Sequence, residues 1–211
     1  MLRDSVAIVA GGDREAGAEL AAGLEASGIA VAVTTSRFAD AGAATTAFAP
    51  LAPFDVLVHV PTDEAALVRA PLAATSAAEW DERGEAVLRS ALWSCQAAHA
   101  VMRANGGGRI VLVTPTVGLV GGAERVALAT ASEGMRTLAK VAARQWGDSG
   151  ITVNCVAVAL DAGDGGPLAP ALGRAADWRR DVAAAVALLT DERARGITGA
   201  TIPVDGGVVM L

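Results

Sequence analysis

AIVAGGDREAGAELAAGL, residues 7–24, begins as a continuous apolar run, breaks on paired glycines and resumes with Leu20 and Leu24 at helical spacing. An apolar run of four to eight residues ending in glycine reads as a buried strand, and leucines four apart in an Ala-rich stretch read as a helix. Residues 5–9 (SVAIV) are therefore a first strand and residues 14–27 a first helix, closed by Gly28. The alternation continues along the chain. Strands are predicted at residues 29–34 (IAVAVT), 55–59 (DVLVH), 109–114 (RIVLVT), 151–158 (ITVNCVAV) and 200–204. Long helices are predicted over 76–105 and 124–147, and a shorter one over 181–190. Apolar strands without polar alternation, separated by helices, predict a parallel sheet covered on both faces: a doubly wound α/β fold, read as one domain over 1–211.

One interval is too short for that pattern. Residues 35–54 separate the second strand from Asp55. Two helical crossovers and an intervening strand need roughly 30 residues. An element is missing or reduced here, and a short extended piece at residues 45–48 (TTAF) is expected to be its remnant.

Composition narrows the class. The 211 residues are 53% hydrophobic and 19% charged, which suits a packed core. A net charge of -6 repels phosphate backbones, so nucleic-acid binding is not expected. Cys95 and Cys155 fit buried free thiols, and no Cys/His cluster has metal-ligand spacing, so no metal site is expected. No apolar run reaches membrane-spanning length and no charged-then-apolar leader opens the chain. A cytoplasmic protein is expected.

Several segments together carry a family resemblance: AIVAGGDREAGAELAAGL, FDVLVH (54–59), EWDE (79–82), NGGGRIVLVT (105–114), RQWGDSGITVNCVAV (144–158) and DVAAAVALLTDERARGITGATIPVDGG (181–207). In this order and spacing they resemble the short-chain dehydrogenase/reductase family, from about residue 4 to 210. The shortened interval before Asp55 and a shortened loop after Asp161 depart from it. The resemblance implies a Rossmann-like domain and hydride transfer with a nicotinamide. It also implies a catalytic tyrosine, a lysine four residues later that lowers its pKa, a serine that orients the carbonyl, and an asparagine in a proton relay. A phenol titrating near ~10 needs such an adjacent cation to work near neutral pH.

This chain departs at all four positions. Ungapped alignment from Arg109 to Val158 sets Pro115 at the serine, Leu128 at the tyrosine and Ser132 at the lysine; counting back from Met102 sets Val87 at the asparagine. The chain contains no tyrosine at all. Lys140 lies eight residues past Ser132, about 12 Å along a helix axis, and does not substitute. Classical activity is therefore expected to be absent.

The family's glycine-rich loop is altered too. It reads Ala10, Gly11, Gly12, Asp13, Arg14, Glu15, Ala16, Gly17, with Glu15 in place of the middle glycine. Gly11, Gly12, Arg14 and Gly17 are the candidate dinucleotide contacts. Glu15 either crowds and repels a pyrophosphate or belongs to a first helical turn, where acids are favoured. The expectation is that no cofactor binds. Were one bound, Arg37, after a second strand followed by no acid, would favour NADP over NAD. The family's Asn-Asn-Ala-Gly turn is replaced by His59, Val60, Pro61 and Thr62.

His59 falls at the C-terminal edge of the sheet, with Thr114, Thr116 and Glu124 expected nearby. A histidine beside a carboxylate suits acid–base work; local hydrogen bonding is the plainer reading. Apolar surface on the two long helices exceeds one stripe and predicts a partner chain there. The leading expectation is a non-catalytic subunit, in a homo-oligomer or paired with an active relative through 76–105 and 124–147. The alternatives are an NAD(P)-dependent oxidoreductase with an atypical site, or a non-redox lyase, isomerase or cyclase using the same crevice.

Overall fold

The computed structural model describes residues 6–61, 67–159 and 169–210. Ser5, Thr62 and the loop after Asp161, each singled out above, lie outside them. Six strands, β1 (Val6–Ala10), β2 (Ala30–Thr34), β3 (Val56–His59), β4 (Gly108–Pro115), β5 (Ile151–Val158) and β6 (Thr201–Pro203), form one parallel sheet in the order β2-β1-β3-β4-β5-β6. Strands β3, β4 and β5 are buried along their whole length, and their mostly apolar sequences carry only a few buried polar residues: His59, Arg109, Thr114, Thr152 and Asn154.

The sheet divides the core in two. Ile8, Leu57, Ile110 and Leu112 face α3 (Ala86–Ala104) and α4 (Val126–Trp146). Val9, Val58, Val111 and Val113 face α1 (Glu15–Ala26) and α5 (Ala183–Thr190). Cys95 and Cys155 sit fully buried on the first side, as free thiols. Burial pushes both up to about 12, which keeps them un-ionised and inert.

The short interval resolves differently from expectation. Residues 45–48 are not extended; they are the last turn of α2 (Ala41–Phe48). Asp40 caps this helix by accepting from the Ala43 N–H at 2.8 Å. Ala44 and Phe48, four apart, bury the same face, and Phe48 meets Phe38 and Phe54 edge-on at 5.9 and 5.8 Å. Tertiary packing of that face outweighs the strand preference of Thr45 and Thr46. A strand is thus missing outright, and β2 forms the sheet's edge.

The first long helical stretch matches its predicted 76–105 bounds, running without a break from Ala77 to Ala104, whereas the second starts later than predicted. A Ser76–Glu79 capping box opens a single turn, Ala77–Trp80, a π turn follows at Asp81–Glu85, and only then does α3 begin. The π turn sets Gly84 against α4, where a Cβ would meet the Ala127 carbonyl oxygen at 3.3 Å. Glu124, at φ 63°, cannot continue a right-handed helix, so α4 starts at Val126.

Because β2 and β3 lie on opposite sides of β1, the strand order reverses there. The crevice beyond the C-terminal ends of β1 and β3 is where ligands of such sheets bind.

Candidate functional site

The turn after β1 packs without room for side chains. Gly11, at φ 100°, donates its N–H to the Thr34 carbonyl at 2.7 Å, and a Cβ there would lie 2.3 Å from the Val60 carbonyl oxygen. A Cβ on Gly17 would lie 2.0 Å from the Gly11 carbonyl oxygen. The surviving glycines are therefore those that bring α1 down onto β1. Arg14 is the residue before α1, and its side chain makes no capping hydrogen bond to the helix's first-turn N–H groups. Glu15 is the first helical residue and is exposed to solvent. It occupies the first-turn position where the helix dipole favours an acid, rather than filling the turn. These residues fit a dinucleotide's phosphates.

Beside the turn lies a cavity of about 310 Å³. Ser36 and Arg37 come to it from the end of β2, His59 from β3, Glu82 from the π turn, and Val87 and Ser90 from α3. Arg37 and Glu82 are exposed, whereas His59 is 0% exposed. The His59 Nδ1 is 3.0 Å from the Ser94 Oγ, and Ser90 donates to the Ser36 carbonyl. Its Nε2 is buried and has no hydrogen-bond partner among the described residues. An unsatisfied buried polar atom costs about 1–3 kcal/mol. Burial lowers the His59 pKa to about 4, so the ring is neutral at physiological pH.

The four family positions are held in the protein interior. Val87 and Leu128 are 7% and 3% exposed and belong to the same core cluster. Pro115 ends β4. Ser132 is 0% exposed and donates to the Leu128 carbonyl at 2.7 Å, so its hydroxyl serves the helix backbone. Lys140 is exposed on α4. Thr114 Oγ1 is buried without a partner among the described residues, and Thr116 Oγ1 lies 3.5 Å from Asp205 Oδ2. Glu124 does not join His59: it lines a separate small cleft with Arg83, Arg125 and Leu128, because its own backbone turns the chain away before α4. The proposed histidine–carboxylate pair is thus not assembled.

Sequence reasoning missed Ser36, Ser90 and Ser94. Two serines four apart on an otherwise apolar helix face were the available signal for the last two. No group of three or more His, Cys, Asp or Glu side chains able to hold a metal occurs among the described residues, and no helix there is long and apolar enough to cross a membrane.

Comparison with known proteins agrees with the architecture. The family model described as Enoyl-(Acyl carrier protein) reductase matches residues 5–209. The chain is 32% identical over 143 residues to 3-oxoacyl-(acyl-carrier-protein) reductase FabG of Salmonella typhimurium, a match covering 63% of this chain and 59% of that protein. It is 30% identical over 149 residues to D-threitol dehydrogenase of Mycolicibacterium smegmatis, covering 65% of this chain and 57% of that one. The chain thus spans less than two thirds of these relatives' length. Among solved structures, the TT0495 protein from Thermus thermophilus superposes with a TM-score of 0.84 at 27% identity, covering 97% of this chain and 99% of that one. A short-chain dehydrogenase/reductase family oxidoreductase from Burkholderia thailandensis gives 0.82 at 26% identity, covering 97% and 92%.

These relatives are a reductase and a dehydrogenase, enzymes whose chemistry moves a hydride to or from a carrier. That overturns the expectation that no cofactor is used. That expectation rested on Glu15, on the replaced turn at His59–Pro61 and on the shortened interval after Arg37; Glu15 itself is exposed as the first residue of α1.

Proposed function

Because the chain belongs to the short-chain dehydrogenase/reductase family, we propose that it is an NADP-preferring oxidoreductase with an atypical site. The observation that carries this reading is the close approach at Gly11 in the turn and Gly17 in the first turn of α1, where neither position has room for a Cβ, beside the cavity that Arg37 lines. Backbone N–H groups at the helix start suit the pyrophosphate, and the Arg37 guanidinium suits a 2′-phosphate. When bound, the nicotinamide supplies or accepts a hydride. The protein's part is to seat the dinucleotide; Val87, Pro115 and Leu128 leave the family's asparagine, serine and tyrosine positions without a polar side chain. With no phenol in the chain, the proton that accompanies the hydride comes from solvent or from the substrate itself, not from a side chain at position 128.

Titration of the purified protein with NADPH and NADH, followed by nicotinamide fluorescence, tests the binding. Saturable binding with NADPH tighter than NADH is expected. Failure of both to bind would refute the reading. Oxidation of NADPH by a panel of ketones, aldehydes and acyl thioesters then tests turnover.

A second reading keeps the dinucleotide but not the chemistry. It is favoured by the aliphatic side chains at the asparagine and tyrosine positions and by the outward Val141 on α4, which is 46% exposed. Here the chain is a structural or regulatory subunit, assembled with itself or with an active relative through α3 and α4. Binding without turnover, together with capture of an intact family member from the native cell, would favour it over the first.

A further inference from the structure

With one strand gone, β2 is the edge of the sheet, and this edge carries none of the devices that keep edges apart. Gly11 donates its N–H to the Thr34 carbonyl, so Thr34, Ala32 and Ala30 turn their backbone groups toward β1. By the same alternation the N–H and C=O of Val31 and Val33 point away from the sheet, where no strand pairs with them among the described residues. Edges are ordinarily blunted by a charge, a proline, a bulge or a covering element. Residues 26–36 hold no charged residue and no proline. The register with β1 runs unbroken from Ala30 to Thr34, without a bulge. The next element, α2, packs against α3. Ala30 is exposed, and Val33 is 53% exposed.

We propose that this edge binds a second copy of the chain, the two β2 strands pairing antiparallel about a two-fold axis through Ala32. The sequence AVAVT is complementary to itself in that register. Val31 of each copy lies opposite Val33 of the other, and each such pair exchanges both backbone hydrogen bonds through the outward groups. On the other face Ala32 meets its own twin and Ala30 meets Thr34, small side chains against small. Charge sets the direction. Glu25 and Arg37 are the first charged residues on either side of the neutral stretch, and both are exposed. Antiparallel pairing brings the Arg37 end of each copy to the Glu25 end of the other, whereas parallel pairing sets like ends together. A strand from an unrelated protein gains the backbone bonds but not this symmetric match, which closes on itself and stops at two sheets. The contact lies away from α3 and α4 and does not depend on the dinucleotide reading.

Cross-linking tests the register. At the two-fold axis Ala32 forms a non-hydrogen-bonded pair with its twin, whose Cα atoms lie about 4.5 Å apart, within disulfide reach. Mild oxidation of Ala32→Cys should therefore join the copies, while the native Cys95 and Cys155 are buried and stay out of the reaction. Ala30→Cys is the control: in this register its twin is four residues further along, about 13 Å away, and should not join. Analytical ultracentrifugation of the full chain measures the strength. Val33→Lys places a charge in the apolar pair. Val33→Pro removes the outward N–H alone, which an edge strand facing solvent tolerates. Each should raise the concentration at which half the chains pair by at least about tenfold, with an unchanged circular dichroism spectrum. If α3 and α4 also hold copies together, the mass halves instead of falling to that of a single chain. A parent protein whose mass the two Val33 variants leave unchanged would overturn the proposal. So would an Ala32→Cys protein that does not cross-link, or one that cross-links no better than Ala30→Cys. Should both Val33 variants fail to fold, the cysteine pair, each differing from alanine by one sulfur atom, decides alone.

Discussion

Replacing Gly17 with alanine adds one methyl group at the tightest point of the chain. Its Cβ would lie 2.0 Å from the Gly11 carbonyl oxygen and 2.9 Å from the Gly12 Cα. Both are backbone atoms, and Gly11 is itself held by its bond to Thr34. An ordinary contact needs more than 3.4 Å, so α1 must move off β1 by about an ångström. Leu20, Leu24 and Ala21 on that helix are 0%, 1% and 6% exposed. A gap of 0.5–1 Å forfeits about a quarter to a half of each dispersion contact, from leucines worth roughly 1.5–3 kcal/mol apiece. Adding overpacking strain of about 1–3 kcal/mol gives a total of roughly 2–5 kcal/mol. Urea unfolding measures it directly. In a domain of this size each kcal/mol lowers Tm by roughly 2–4 °C, so melting should fall by about 5–20 °C. Gly28→Ala is the control. Gly28 has φ 85° but nothing within 4 Å of its would-be Cβ, so only the backbone term applies, about 1–2 kcal/mol. A Gly17→Ala protein within 0.5 kcal/mol of the parent, or no worse than Gly28→Ala, would refute the claim that the glycines set the helix against the strand.

Arg37→Ala should weaken NADPH about 10- to 100-fold while changing NADH little, since a charge-assisted bond is worth about 1.5–3 kcal/mol; parallel fluorescence titrations read the difference. His59 also links stability to pH. Its folded pKa, about 4, lies below the ordinary 6.5, so the unfolded chain takes the proton first: stability from this group is full above pH 6.5 and is lost as pH falls toward 4. The gap, at 1.36 kcal/mol per pH unit, amounts to about 3 kcal/mol, and urea melts of His59→Asn across that window should lack this part of the slope. Cys95 and Cys155, raised to about 12 and buried, should resist a thiol reagent at pH 8 in the folded protein and react at once in denaturant; fast labelling of the native protein would contradict their placement.

The strands were legible because burial on both faces leaves a mostly apolar run without regular polar alternation, as in Ile110–Val113, and the helices because Leu20 and Leu24 repeat at helical spacing. One helix start was less legible. The onset of α4 depends on a single left-handed residue, Glu124, and nothing in its identity announces that conformation. Residues 45–48 were misread because two β-branched threonines suggest a strand, while the burial of Phe48 among Phe38 and Phe54 is a contact between segments that local pattern does not contain.

By itself the sequence determined the alternating α/β plan, the acidic surface and the want of any tyrosine. These rest on composition and on periodicities of a few residues, which local sterics and burial impose wherever the chain goes. Only the tertiary structure decided that a whole strand is gone, leaving β2 at the edge, that Glu15 turns to solvent, and that His59 meets Ser94 while Ser90 meets Ser36. Those partners lie 35 and 54 residues apart. Their meeting follows from strand order and register, which the packing of the whole domain selects and no short stretch of the chain encodes.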